Sequence, residues 1–581
     1  MTIPASATSG EAAWHRNYDE GVPRTLAPYP SLTLLDYLRQ NAASWPGRTA
    51  LLFKGASISY ERLEKESDRF ATGLAKLGVA RGDRVAIALP NCPQFLIAEL
   101  GAWKVGAIAC PLNPTYTDRE LEDAFNASGA HVAVVLNRFY SRVKTVQPRT
   151  ALKNLIATGI KDYLPARTRL AYTLFREKKD GERITLGEGD VRFRSLIRWY
   201  ASVPAPSVVI EPDDPAVILM SGGTTGTPKG VVGSHKGMVT AGLQLQAWLK
   251  SAMHEWTDTI MVPLPLFHTY ANTGVQSLAF INHNPLSLTP NPREPREVLE
   301  EINAVKPAFI CAVPTLLNAL LSHSMTKNGK VGWNSVKLCF SGAAALMTDT
   351  RKRFEELTGG VIVEGYSLTE AQMAVIANPV RGTKKIGSVG MPLPDVTVRI
   401  VDADDGQRPL PLGEVGEIVI AAPQLMHGYW QRDDDTRAMI HTGADGERLL
   451  YTGDLGYLDD DGYLFIVDRK KDLAKPSGFQ VWPREVEEAI SSHPAVAECG
   501  VAGLPDAARG EILKAWVVLR PGATATVDEL RTHCRERLAA YKVPSRWEFV
   551  ADLPKSTVGK VLRRELRRRE LELRPEETST R

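Results

Sequence analysis

The stretch Ala216-Val217-Ile218-Leu219-Met220-Ser221-Gly222-Gly223-Thr224-Thr225-Gly226-Thr227-Pro228-Lys229-Gly230 runs from an apolar strand pattern into a loop of small and hydroxylated residues that ends in a lysine. Such side chains let backbone N–H groups crowd around an anion, while the hydroxyls donate further hydrogen bonds and the lysine adds charge. No Gly-Lys-Ser/Thr closes the loop, so it is not a Walker A motif. A flexible Ser/Gly turn is the bland alternative. The strand pattern before the loop and Pro-Lys-Gly after it favour an anion cradle.

Outward from this loop, strand and helix patterns alternate. Ser59-Tyr60-Glu61-Arg62-Leu63 opens an amphipathic helix with Leu63, Phe70, Leu74 and Leu77 near helical spacing. Arg81-Gly82-Asp83 is a turn, and Val85-Ala86-Ile87-Ala88-Leu89 is a short apolar run bounded by Pro90-Asn91. A second helix covers Leu96 to Val105, and Ala107-Ile108-Ala109-Cys110-Pro111 repeats the strand pattern. Strands separated by helices imply βαβ units and a mainly parallel sheet. From Val361 to Tyr463 the chain is rich in Gly, Pro and short strands such as Val396–Val401 and Gly416–Ile420, which predicts a β subdomain. After Asp468-Arg469-Lys470-Lys471-Asp472 the pattern changes again, with a helix beginning near Pro483.

The composition sets bounds. A chain of 581 residues exceeds one ordinary core, and 44% hydrophobic with 24% charged residues is globular. Seventy basic against 67 acidic side chains leave +3, which argues against dedicated nucleic-acid binding. The six cysteines form no C-x-x-C pair, so neither a zinc site nor a disulfide framework is expected, and a reducing cytoplasm fits. The first residues, MTIPASATSGEAAWH, do not read as a secretory signal. The uncharged stretch between Asp258 and Arg293 contains Pro263, Pro265, Asn272, Gln276 and Asn282, and reads as the wall of an interior cleft instead of a membrane span.

Further motifs follow in order: Pro265-Leu266-Phe267-His268, Ser341-Gly342-Ala343-Ala344, Glu364-Gly365-Tyr366-Ser367-Leu368-Thr369-Glu370, Tyr451-Thr452-Gly453-Asp454, Asp468-Arg469-Lys470-Lys471-Asp472 and Pro554-Lys555-Ser556-Thr557-Val558-Gly559-Lys560. Together with the loop they resemble the acyl-adenylate-forming superfamily of acyl-CoA synthetases, adenylation domains and beetle luciferases, from about Tyr60 to Arg564. The resemblance implies an α/β fold. A large N-terminal adenylate-forming domain of parallel sheets with helices plus a β subdomain would cover residues 1–468. A hinge at 469–472, with Lys471 as pivot, would lead to a smaller mobile α+β C-terminal domain at 473–575 and a frayed tail at 576–581.

The same resemblance assigns roles. Ser221, Gly222, Gly223, Thr224, Thr225, Gly226 and Lys229 would hold the ATP phosphates. Ser221 and Glu370 would hold Mg²⁺, a hard cation that takes oxygen ligands. Gly342, Ala343, Gly365, Tyr366, Ser367 and Thr369 would line the AMP site, with Tyr366 on adenine and Thr369 on the α-phosphate. Asp454 would accept the ribose hydroxyls beside Arg469, and Gln480 would join the nucleotide side. His268 would position the acid, Lys560 would bridge carboxylate and α-phosphate, and Lys475 would serve the second half-reaction. Ser477, Gly478 and Phe479 would face coenzyme A. Electrostatics make such cations necessary: two unit charges 4 Å apart repel by roughly 4 kcal/mol at an effective dielectric of 20. Ser367 departs from a glycine usual in the family and narrows the expected floor of the acyl site.

Phe267-His268 replaces the Phe-Asp that adenylation domains for amino acids often carry, which disfavours free amino acids. Two further stretches, Asn17-Tyr18-Asp19-Glu20-Gly21-Val22-Pro23 and Ile160–Pro165 continuing to Phe175–Lys179, resemble bacterial long-chain fatty-acid synthetases. Fatty-acyl-AMP ligases tend to carry an insertion beyond the hinge, and none is found. The expectation is therefore a fatty-acid–CoA ligase using ATP, Mg²⁺ and coenzyme A, with a long-chain acid as substrate. Its rivals are an aryl- or medium-chain acid CoA ligase, a fatty-acyl-AMP ligase and, from another class, a non-catalytic acyl-binding protein on this fold. Aromatic, aliphatic and arginine residues mixed between Tyr163 and Tyr200 add an expectation of peripheral contact with the inner membrane face. The basic run Arg563 to Arg574, interleaved with glutamates, reads as a solvated helical face.

Overall fold

The computed structural model describes residues 12–221, 229–344, 346–479, 481–506, 509–556 and 559–573. They group into two units, one built from residues 10–397 and 421–450, the other from 398–420 and from 451 onward. The second unit thus takes in residues on the N-terminal side of 469–472.

In the first unit, one sheet is ordered Gly428–Tyr429, Lys229–Ser234, Pro215–Ser221, Ile108–Pro111, Arg84–Ala88, Val132–Leu136, Asn154–Thr158 and Val191–Arg192. From Pro215–Ser221 to the last strand all pairs are parallel, as the βαβ pattern requires. Val132–Leu136 is buried at every position, which explains its unbroken apolar sequence. The helix Tyr60–Lys76 starts where Ser59 accepts the N–H of Arg62, and it buries Leu63, Phe70 and Leu74. It packs on Pro93–Lys104, a helix buried along its whole length. A Cβ on Gly101 would stand 2.7 Å from Phe70 Cδ1, so this close approach needs glycine.

A second sheet in this unit has a parallel core of Val361–Leu368, Leu338–Ser341, Phe309–Ala312, Ile260–Val262, Leu286–Leu288 and Thr49–Phe53. Met373–Ala377 and Ser388–Pro392 extend it antiparallel. The uncharged stretch after Asp258 supplies two of its strands, and between them come a π-helical turn, Tyr270–Gln276, and the helix Ser277–Ile281, with every residue buried. It is interior wall, as expected. No described helix is long and apolar enough to cross a membrane.

The second unit contains most of the strands Thr397–Val401, Gly416–Ala421 and Arg448–Leu458 and all of Leu464–Arg469, then an α+β region with a three-stranded sheet, Val496–Asp506, Gly510–Leu519 and Arg546–Phe549. Val486 and Ile490 of the helix Pro483–Ser491 pack on Val501, Leu513 and Leu530. The β subdomain expected from Val361 to Tyr463 is divided. Val361–Leu368 pairs parallel with Leu338–Ser341 in the first unit, because its apolar start suits a two-faced burial that Gly and Pro counts do not reveal. All six cysteines are buried and unpaired. Of the residues expected at a membrane, Leu174, Phe175 and Trp199 are exposed, whereas Tyr163, Phe193 and Ile197 are buried in the core.

Candidate active site

Ser221 ends one strand and Lys229 begins the next, and the two residues pair across the antiparallel ladder. The hairpin therefore fixes both ends of the segment expected to cradle an anion. Gly222, Gly223, Thr224, Thr225 and Gly226 lie outside the described residues, as does Gln480. Lys229 Nζ reaches Asp435 Oδ1 at 2.5 Å and sits 5.0 Å from the Tyr429 ring centroid. The lysine holds the Asp435 carboxyl below its ordinary range. Arg432 Nε takes the other oxygen of Asp435 at 2.7 Å.

Glu370 sits in the turn Thr369–Ala371 directly after the strand carrying Gly365, Tyr366 and Ser367. The Tyr429 hydroxyl donates to Glu370 Oε1 at 2.8 Å, and burial followed by the Glu370 charge pushes that hydroxyl far up, so it stays a donor. Lys229, Asp435, Tyr429 and Glu370 thus form one linked group. Among the described residues no cluster of three or more His, Cys, Asp or Glu forms a metal nest. The hydroxyl of Ser221 and the carboxylate of Glu370 are hard oxygen donors. They fit Mg²⁺, which takes one or two protein oxygens and completes its shell with phosphate and water.

Gly342 and Ala343 follow the strand Leu338–Ser341, and Ala343 holds a left-handed φ of 69°. A Cβ on Gly342 would stand 3.5 Å from both Gly365 O and Tyr270 Cε1. The Tyr270 hydroxyl donates to Phe340 O at 2.5 Å, which ties the π-helical turn to this strip. His268 precedes the turn, its Nδ1 accepting the Tyr270 N–H at 3.4 Å. Burial lowers its pKa to about 4, so at neutral pH the ring is uncharged and can orient a group by hydrogen bonding but supplies no cation. Glu99, buried beneath the turn, accepts Asn272 Nδ2 at 2.7 Å and Gln276 Nε2 at 2.6 Å.

In the second unit, buried Asp454 meets Arg469 Nε at 3.0 Å across paired strands. Within this strand the Thr452 hydroxyl donates to Ile418 O at 2.8 Å, and Gly453, between Thr452 and Asp454, takes φ 69°. Lys560 is exposed. Its pKa is nevertheless lowered to about 8, first by burial of the amine and then by the charge of Arg469, with Asp454 opposing. Asp454, Arg469 and Lys560 therefore share one electrostatic environment. Lys471 lies exposed in the turn Lys470–Asp472. Lys475 is exposed, its backbone N–H held by Glu511 Oε2 at 2.7 Å. Ser477 has φ 53° in the turn Pro476–Gly478, and Phe479 stacks on Tyr541 with ring centroids 4.8 Å apart.

Sequence reading missed several of these partners. Asp435 hides in an acidic triplet, Asp433-Asp434-Asp435, that looks like solvated surface, and Tyr429 in a short His-Gly-Tyr-Trp run. Arg563 was expected on a solvated face. It is instead clamped by Asp468 Oδ1 and Glu487 Oε2 at 2.5 Å each and by Asp472 Oδ2 at 3.1 Å, because three carboxylates converge on it from segments distant in sequence.

Comparison with known proteins gives a consistent result. Residues 38–430 match the AMP-binding enzyme family and residues 485–560 its C-terminal domain. The chain is 36% identical to a long-chain-fatty-acid–CoA ligase of Bacillus subtilis (strain 168), covering 96% of this chain and 98% of that protein. It is 35% identical to the Yersinia pestis protein of the same name, covering 97% and 99%. A crystal structure of the anthranilate CoA ligase AuaEII with anthranoyl-AMP superimposes with a TM-score of 0.80 at 26% identity, covering 94% of this chain and 99% of that one.

Proposed function

The chain belongs to the AMP-binding enzyme family, and from that premise we propose that it joins a long-chain fatty acid to coenzyme A in two steps. The acid's carboxylate attacks the α-phosphate of ATP, forming acyl-AMP and releasing pyrophosphate. The coenzyme A thiol then attacks the acyl carbonyl, forming the thioester and releasing AMP. What carries this reading is likeness to long-chain ligases along almost their whole length, and the presence of Ser221, Lys229, Glu370, Asp454 and Lys560 in the motifs supports it.

In this reading Lys229 exchanges Asp435 for the ATP phosphates. Ser221 and Glu370 hold Mg²⁺, which when bound neutralises phosphate charge. Tyr366 faces adenine, Thr369 the α-phosphate, and Asp454 the ribose hydroxyls. Lys560 supplies positive charge where carboxylate and α-phosphate crowd together, the kind of oriented electrostatic help that lowers such barriers most. Residues 469–472 act as the hinge for the segment that follows, and Lys475 with Ser477, Gly478 and Phe479 serves the thioester step. The Tyr270–Gln276 turn and the helix after it wall an apolar acyl site, where each buried CH₂ contributes roughly 0.8 kcal/mol. The protein meets its substrate at the cytoplasmic face of a membrane through the exposed residues Leu174 and Phe175.

The test is kcat/KM for palmitate, octanoate, benzoate and 4-coumarate, each with ATP, Mg²⁺ and coenzyme A. A rise from octanoate to palmitate with weak aromatic turnover is expected; a preference for either aromatic acid overturns the long-chain reading.

A further inference from the structure

The helix Ala166–Phe175 buries none of its residues. Leu170, Leu174 and Phe175 expose 62%, 66% and 76% of their surfaces. Leu170 and Leu174 are four residues apart, so they share one face, and a helix of a water-soluble unit normally turns such a face inward. The helix contains two arginines, Arg167 and Arg169, and no acidic residue.

Where this helix begins, the surface opens into a cleft of about 290 Å³ lined by Ser57, Arg62, Asp162, Tyr163, Arg169 and Arg194 among others. Three guanidiniums face one carboxylate. That carboxylate is engaged locally: Asp162 Oδ2 accepts the Thr158 hydroxyl at 3.0 Å and the Gly159 N–H at 3.1 Å. Arg62 pairs with Glu66 at 2.9 Å, and Arg62 and Arg194 lie 5.4 and 5.7 Å from the centroid of the buried Tyr163 ring. The ring therefore braces two of the three cations. Neither Arg169 nor Arg194 has a carboxylate at ion-pair distance among the described residues.

We propose that this cleft is a binding site for the phosphate headgroup of an anionic phospholipid, with the helix Ala166–Phe175 lying on the bilayer beside it. The size suits a headgroup, since the volume is at the lower end for small-molecule sites and too small for a whole lipid. Planar guanidinium forks match phosphate oxygens and form charge-assisted bonds with them. A free phosphate would use the arginines alone. An apolar layer next to that phosphate would also cover the exposed Leu170, Leu174 and Phe175. The inference refines the membrane contact in the proposed function and gives it a ligand; it requires no particular acyl specificity.

The experiment is flotation of the full-length protein with vesicles of phosphatidylcholine alone or mixed with phosphatidylglycerol, at low and high salt. Wild type is expected to float with the anionic vesicles, to be released by salt, and to stay behind with neutral ones. R169Q/R194Q should lower the bound fraction about tenfold or more while keeping wild-type melting and octanoate adenylation in solution, and L174S/F175S should lower the bound fraction as well with wild-type melting. Should R169Q/R194Q fail to fold, R169Q alone, at an exposed side chain, decides by the same loss. Equal flotation with neutral vesicles, undiminished flotation of the arginine variant, or binding of inorganic phosphate without any vesicle binding would each overturn the headgroup site. A protein that floats as described yet activates no fatty acid would leave this site standing and sink the proposed function instead.

Discussion

At the scale of single residues, the proposed chemistry turns on two lysines in different states. Lys560 carries a pKa of about 8, lowered from 10.5, so its charge is lost as pH rises through that value. If the ammonium is needed only for the first step, adenylate formation should decline above pH 8 while thioester formation from supplied acyl-AMP does not. Lys560→Arg, whose guanidinium stays charged, should flatten that alkaline decline. Lys560→Ala should slow adenylation by roughly 10²–10³, the cost of losing one oriented donor to a transition-state anion. Stopped assays of each half-reaction across pH check this, and equal loss in both steps contradicts the assignment. Lys229 is instead paired with Asp435 at 2.5 Å, a carboxylate that competes with phosphate. Asp435→Asn is therefore expected to lower the KM for ATP several-fold and leave that for the acid unchanged; a raised KM for ATP would mean that Asp435 positions the lysine. Lys229, Glu370, Asp454 and Lys560 were legible as candidates, since each stands in a local motif. Asp435 and Tyr429 were not legible, because they reach Lys229 and Glu370 through tertiary packing and their own surroundings look like surface.

At the scale of elements, the π-helical turn Tyr270–Gln276 is the feature no periodicity revealed. Its composition reads as cleft wall; every residue is buried, and the turn is pinned by a buried carboxylate on another helix. Burial raises Glu99 from 4.5 to about 7, against the lowering effect of its bonds from Asn272 and Gln276. An acid whose folded pKa is raised favours the folded state at low pH, and that advantage is lost as pH climbs from about 4.5 to 7. The shift corresponds to up to about 3 kcal/mol. Glu99→Gln cannot titrate, so the stability of wild type relative to this variant should fall over that window, read by urea unfolding at stepped pH. A constant difference would place the proton elsewhere. Glu99→Leu should cost about 1–3 kcal/mol for each amide left without its acceptor, lowering the melting temperature at every pH. The helices Tyr60–Lys76 and Pro93–Lys104 and the strands around them were legible from spacing alone. The division of the β-rich stretch was not, since Gly and Pro mark where strands turn and not which sheet receives them.

For the whole molecule, the α/β character and the order of motifs along the chain were readable, whereas the grouping of residues 398–420 and 451–469 with the C-terminal residues depends on contacts that no local pattern encodes. In the proposed mechanism the two half-reactions make opposing demands on one carbonyl: Lys560 reaches the α-phosphate first, and the thiol later needs an unobstructed approach. A few dihedrals at 469–472 can absorb that change. Lys471→Pro, which restricts φ at the pivot, should spare adenylate formation and impair thioester formation, and equal impairment would argue against a hinge there. All of this rests on the claim that a fatty acid is activated as an adenylate and then passed to coenzyme A. A single-turnover experiment with excess enzyme, palmitate and α-labelled ATP tests it most directly. The account predicts that labelled palmitoyl-AMP accumulates with pyrophosphate in the absence of coenzyme A, and that adding coenzyme A converts it to palmitoyl-CoA and labelled AMP. Formation of ADP and phosphate, or a palmitoyl-AMP that coenzyme A leaves untouched, would contradict it.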